Sequence, residues 1–229
     1  MKSPRRTSGD SVFDEPHMQQ PPQRSNGETP IESVWMEPSQ QADGNPRPYA
    51  DWYATQKTRT TLLSSWRLTL LLSLIAGPLA VFSAFFTQGP GAGFLLLVVA
   101  GPLIEEIGKI MGPLMVVERN PARFSTRSQI LLCALASGLV FSIIENFLYL
   151  HVYIPDPSPS LIRWRWTVCV ALHTGCSFIA GWGVTNIWSE SDRTREPPKL
   201  ETGAPLLITA VVLHGLYNFL ALMLDSVFQ

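Results

Sequence analysis

The sequence predicts an all-α fold: a polytopic transmembrane bundle of about five spanning helices, preceded by a disordered N-terminal tail. Three observations predict it. Charge is segregated, with 15 of the 35 Asp, Glu, Lys and Arg residues in the first 60 positions and 20 in the other 169. The first 58 positions hold eight prolines among Gln, Ser, Glu and Arg, with no hydrophobic period. Beyond them come five apolar stretches, each near the ~20 residues that carry a helix across a hydrocarbon core.

Each element has its own justification. Residues 1–60 cannot bury enough apolar surface to offset their ordering entropy, so they are expected to be a disordered cytoplasmic tail. Trp35, or Trp52 and Tyr53, are candidate local anchors at a membrane surface or partner. From 62 to 229 the chain reads as one membrane domain with spans near 66–86, 91–117, 128–154, 161–188 and 203–228. The connections are short, and they alternate in charge. Lys57, Arg59 and Arg67 flank the first span, Arg119, Arg123 and Arg127 separate the second from the third, and Arg193, Arg195 and Lys199 separate the fourth from the fifth. The opposite side holds only Arg163 and Arg165. Positive charge therefore places the N-terminus in the cytoplasm and the C-terminus outside, in a multi-pass protein of the cell membrane.

Composition excludes several functions. A net charge of −1 without a basic stripe offers no footprint for nucleic acid. Cys133, Cys169 and Cys176 are odd in number, lie in apolar surroundings and lack CxxC spacing, so they read as packing residues. Lys2, Arg5 and Arg6 are followed by Ser8, Gly9 and Asp10 where a cleaved signal would need an apolar core.

Ionisable groups at membrane depth are costly, and each needs a reason. Away from loops and span ends, the five segments carry Glu105, Glu106, Lys109, Glu145, His173 and His214. Glu105 and Lys109 are one turn apart and Glu106 and Lys109 three residues apart, so the lysine can pair with either carboxylate. Pro102 and Pro113 bracket that turn and deprive the carbonyls of Val98 and Lys109 of their helical partners. Gly108 and Gly112 form a small-xxx-small pair for close helix approach. Asn146 follows Glu145, and Asn218 lies one turn after His214. Counted from the outer ends, Glu105, His173 and His214 are about 20 Å deep at ~1.5 Å per residue, so antiparallel neighbours can gather them into one cavity.

Three carboxylates against one lysine cannot all ionise cheaply in a dry bundle, so one keeps a proton or shares it with a histidine. Such a glutamate is a competent general base for water. An imidazole and an amide one turn apart are competent donors to a developing oxyanion. Together they supply what amide hydrolysis requires, with no serine or cysteine nucleophile. Gly-x-Ser-Gly and His-Glu-x-x-His elements are absent, as is an aspartate in the interior of any span, away from its ends.

Four motifs in order, Glu105-Glu106-x-x-Lys109, Phe141-x-x-x-Glu145-Asn146, a lone His173 and His214-x-x-x-Asn218, resemble those of the PrsW family of intramembrane proteases. That family is distantly related to the CAAX prenyl endopeptidases and to the scaffold subunit of gamma-secretase. The resemblance covers about residues 62–228. It implies a glutamic-type protease in which Glu105 activates water with support from Glu106 and Lys109. Glu145 occupies the place of a histidine in the CAAX enzymes, His173 supplies the imidazole there, and His214 and Asn218 hold the oxyanion. It further implies a membrane-bound substrate such as an anti-sigma factor.

No cofactor is expected. The enzymatic alternative is a zinc hydrolase with His173, His214 and one or two of the glutamates as ligands. The non-enzymatic alternative is a membrane scaffold or proton relay that uses the same groups as interhelical glue. The expected partners are a membrane-protein substrate and the lipid bilayer.

Overall fold

The computed structural model describes residues 49–85 and 93–228, and the expectation of disorder over 1–48 lies outside the described residues. All regular structure among the described residues is helical, as the segregated charge and apolar runs predict. The helices are α1 (Tyr49–Arg59), α2 (Leu62–Phe85), α3 (Gly101–Arg119), α4 (Arg127–Leu148), α5 (Pro159–Trp164), α6 (Val170–Thr194) and α7 (Ala204–Phe228). Three wide π-helical turns interrupt or extend them, at Leu96–Ala100, Tyr149–Tyr153 and Arg165–Cys169.

Arg127–Tyr153, Pro159–Thr194 and Ala204–Met223 are long and apolar enough to cross a membrane. Within α2, Leu62–Ile75 is a shorter apolar stretch. In α3 the interruption is chemical, because Glu105, Glu106 and Lys109 lie mid-helix. Leu63, Leu70 and Leu74 of α2 are 60%, 62% and 65% exposed, as is expected of a surface facing lipid rather than water.

The charged helix is the most enclosed. α3 packs against α2, α4, α6 and α7, while α4 is sandwiched between α2 and α6, and α6 also carries α7. Glu105, Glu106 and Lys109 are buried in that ring of helices, which is where an ionisable group in a membrane protein is tolerated. Beside them an apolar cluster that includes Ile110, Val117, Ile130, Cys133, Val184 and Trp188 fills the end of the bundle nearest the basic connections. The polar site lies toward the other end.

Local chemistry sets the ends. Gln129 lies in the first turn of α4, and its Oε1 accepts the backbone N–H groups of Ser125 (2.8 Å) and Thr126 (3.1 Å) and the Ser65 hydroxyl (3.0 Å), so one buried amide closes a helix start and ties it to α2. Ser158 caps α5 by accepting from Leu161 N, with Pro159 in the first turn. Arg195 ends α6 in the left-handed region at φ 59. Gly112 receives Leu72 of α2, and Cys133 and Cys176 are free thiols packed in the apolar cluster, as expected.

One expectation is corrected. Residues 49–59, assigned to the irregular tail, form helix α1, and Tyr53 is fully buried. The cause is tertiary. Tyr53 donates its hydroxyl to Asp192 at 2.6 Å, Lys57 pairs with the same carboxylate at 3.2 Å, and the Arg195 guanidinium stacks 4.5 Å above the tyrosine ring. Burial, followed by the hydrogen bond and charge of Asp192, pushes the Tyr53 phenol above its ordinary range. It therefore remains a donor at any physiological pH. An 11-residue helix is marginal alone, and these contacts supply what propensity does not.

Candidate active site in the bundle interior

The site is assembled from four helices that each contribute one to three polar side chains. Pro102 starts it. In the π-turn Leu96–Ala100 the carbonyl of Leu97 would bond the N–H five residues on, and that residue is Pro102, which has none. Asn218 of α7 fills the gap, donating Nδ2–H to Leu97 O at 3.0 Å. The neighbouring Val98 carbonyl is covered by Gly215, where a Cβ would collide with it, so α7 must present a glycine. The proline thus recruits α7 onto α3 and sets the height of His214.

A continuous run of hydrogen bonds links the charged groups. His214 Nδ1 meets Glu106 Oε1 at 2.8 Å. Lys109 Nζ donates to the same oxygen at 2.7 Å and to His173 Nδ1 at 3.0 Å, and lies 4.2 Å over the Phe141 ring. His173 Nε2 meets Glu145 Oε2 at 2.9 Å, and that oxygen also accepts from Arg165 Nη2 at 2.9 Å. An ammonium donor at Nδ1 makes His173 the Nε2–H tautomer, with Nε2 donating to Glu145. His173 and His214 meet edge to face, 4.8 Å between centroids. Glu105 Oε2 faces His214 Nε2 at 3.8 Å.

Every expected site residue except Asn146 is therefore in this cluster, in two layers. A cavity of about 340 Å³ is lined by Glu105, Glu145, His173 and Asn218, together with Arg165 and Tyr149. Glu106, Lys109 and His214 stand behind it, buried to 2% exposure or less. Asn146 is turned aside, exchanging two hydrogen bonds with Arg165 at 2.8 and 3.0 Å. The cavity also touches Ile154, Leu161 and Leu222, so it opens at the end of the bundle opposite the basic connections.

Arg165 is the member that the sequence left outside, counted as a charge of the opposite surface. Its side chain is 12% exposed and salt-bridged to Glu145. The signal was spacing: Arg165 precedes His173 by eight residues. Two α-turns take ~7.2 residues, and the extra residue of a π-turn makes eight share a face. The π-turn Arg165–Cys169 lies between the two.

A metal can be tested against these donors. One ligand atom each from Glu105, His173 and His214 lie within 4.8 Å of one another, the compass of a His2Glu zinc set. The bond from Glu106 also leaves His214 Nε2 turned toward Glu105, the way outer carboxylates orient metal-binding imidazoles. His173 does not fit, because one ring nitrogen faces an ammonium and the other a carboxylate. In this arrangement two donors are available where a zinc hydrolase uses three.

A family model described as PrsW family intramembrane metalloprotease matches residues 58–229. No curated protein and no solved structure matches the chain.

Proposed function

Because the chain belongs to the PrsW family of intramembrane proteases, and is thus a membrane protein and a peptidase, we propose that it hydrolyses a peptide bond in or beside a substrate's transmembrane segment with water activated by Glu105. The observation that carries this is the layering of the site. Glu105 is the carboxylate of the Glu-Glu pair that lines the cavity, with His214 3.8 Å behind it, close enough for one water to bond both.

Glu105 takes the proton of the attacking water as its oxygen adds to the carbonyl carbon. His214, whose Nδ1–H is held by Glu106, can receive that proton at Nε2, and Glu106 then balances the imidazolium. Asn218 spends one amide hydrogen on Leu97 O and has a second for the tetrahedral oxygen. When the C–N bond breaks, the amine takes the stored proton. Lys109 holds Glu106 and His173 in place, and Glu145 and Asn146 anchor the outer edge of the cavity. Substrate enters from the end of the bundle carrying residues 154–161, proposed to be extracytoplasmic, with the N-terminus and basic connections in the cytoplasm of a cell-membrane protein. A membrane-bound anti-sigma factor is a substrate of suitable form.

The His/Glu cluster favours zinc as a second reading, one that requires His173 to give up Lys109 or Glu145. One experiment separates the two. Purified full-length protein is assayed in detergent with a mixed quenched-fluorescent peptide library, beside Glu105→Gln and beside chelator-treated enzyme. The proposal expects cleavage that Glu105→Gln abolishes and the chelator leaves intact. Loss with the chelator and recovery with zinc would establish the metal reading, and equal signal from Glu105→Gln would sink the role of Glu105.

A further inference from the structure

We infer that Arg165 is a positioning residue of this site, acting through Glu145 to hold the His173 ring against Lys109. The inference rests on the protease reading above. It is carried by the geometry of one side chain. The guanidinium uses Nη2 on Glu145 Oε2 at 2.9 Å and Nε on Asn146 Oδ1 at 3.0 Å, while Asn146 returns Nδ2–H to the Arg165 carbonyl at 2.8 Å. Its flat face lies on Tyr149, 3.8 Å from the ring centroid. Three hydrogen bonds and a stack thus fix the π-turn at the head of α6 to the end of α4.

The lock reaches the reacting centre in two steps. Glu145 Oε2 is shared between Arg165 and His173, so the cation sets where the histidine's acceptor stands. His173 in turn takes Lys109, and Lys109 takes Glu106, the residue that holds His214. Along this run the fixed charges alternate: Arg165 positive, Glu145 negative, Lys109 positive, Glu106 negative. Removing Arg165 leaves a buried carboxylate facing His173 without the fork that fixed it. The ring is then free to follow Glu145 away from Lys109. Lysine cannot reproduce the arrangement, since a single ammonium cannot span Glu145 and Asn146 as a planar fork does.

Arg165→Gln, Arg165→Lys, Glu145→Gln and the double variant Arg165→Gln/Glu145→Gln, all in the full chain, are assayed on the same peptide library. A misplaced catalytic group costs up to about 100-fold, so Arg165→Gln should lose on the order of 10- to 100-fold in kcat with KM within about threefold, and Arg165→Lys should lose less. In the Glu145→Gln background the same change should cost under about twofold, because the residue acts through Glu145. Thermal unfolding in detergent identifies any variant that simply fails to fold. Independently of activity, ¹⁵N spectra of the histidine ring, assigned with His173→Gln, should show the Nε2–H tautomer in the wild type and a changed signal in Arg165→Gln. Wild-type kcat in Arg165→Gln, losses that multiply in the double variant, or an unchanged His173 signal would overturn the inference. Equal cleavage by wild type and Glu105→Gln, with the His173 signal still shifting, would overturn the role proposed for Glu105 and leave the positioning role standing.

Discussion

At the scale of single residues, the chain shows how a membrane interior can hold many ionisable groups. Each is spent on another: Lys109 on Glu106 and His173, Glu145 on His173 and Arg165, His214 on Glu106. Apart from Arg165, the identities of these residues were legible in the sequence because apolar surroundings make a charge conspicuous. Their partners were not. Nothing in the spacing of His214 and Asn218 shows that the amide answers an orphan carbonyl made by Pro102, a hundred residues away. That function makes a prediction. Asn218→Ala leaves the part-buried Leu97 O without its donor, at a cost of about 1 kcal/mol. Thermal unfolding in detergent should fall accordingly and cleavage should fall with it. Asn218→Asp, which cannot donate when ionised, should resemble the alanine variant. Unchanged melting in Asn218→Ala would show that Leu97 needs no partner there.

At the scale of elements, helix identity followed from apolar length, but contact geometry did not. Gly108 and Gly112 looked like the approach motif; a close approach of α4 to α6 beside the site is instead at Gly138, where a Cβ would stand 2.9 Å from the His173 carbonyl and closer still to the Ser177 side chain. Only α4 and α6 in place reveal it. Overpacking of this kind costs about 1–3 kcal/mol, so Gly138→Ala should push α4 off α6, carry His173 away from Lys109 and reduce kcat at unchanged expression. Full activity would mean that the interface relaxes without moving the ring. The π-turns were equally hidden, being set by Pro102 in one case and by tertiary bonds to Arg165 in another. Helix α1 was missed because its sequence is polar and its order comes from Asp192, over a hundred residues on. Tyr53→Phe removes the bond to Asp192 and about 1 kcal/mol. Trypsin should then cut at Lys57 and Arg59 faster than in the wild type; equal rates would show that the stack with Arg195 suffices.

At the scale of the whole molecule, two ends of one bundle divide the labour. The basic end is filled by an apolar cluster and braced by α1, whereas the other opens into a cavity that reaches Glu105. Charge asymmetry between the connections is the ground on which the cavity end is proposed to face outside, and on that proposal a reporter fused after Gln229 should be extracytoplasmic. A cytoplasmic signal would invert the proposed route of substrate entry. The composition hid all this, since a polar tail and an almost uncharged membrane domain average to an ordinary protein. What matters most is whether the buried carboxylate that faces the cavity does chemistry. Cells carrying the wild-type chain and cells carrying Glu105→Gln, at matched levels of folded protein, can be compared for the lengths of their membrane-protein fragments. At least one membrane protein should be shortened only with Glu105 intact. Identical fragment patterns would contradict the proposal that this site is a glutamate-dependent protease.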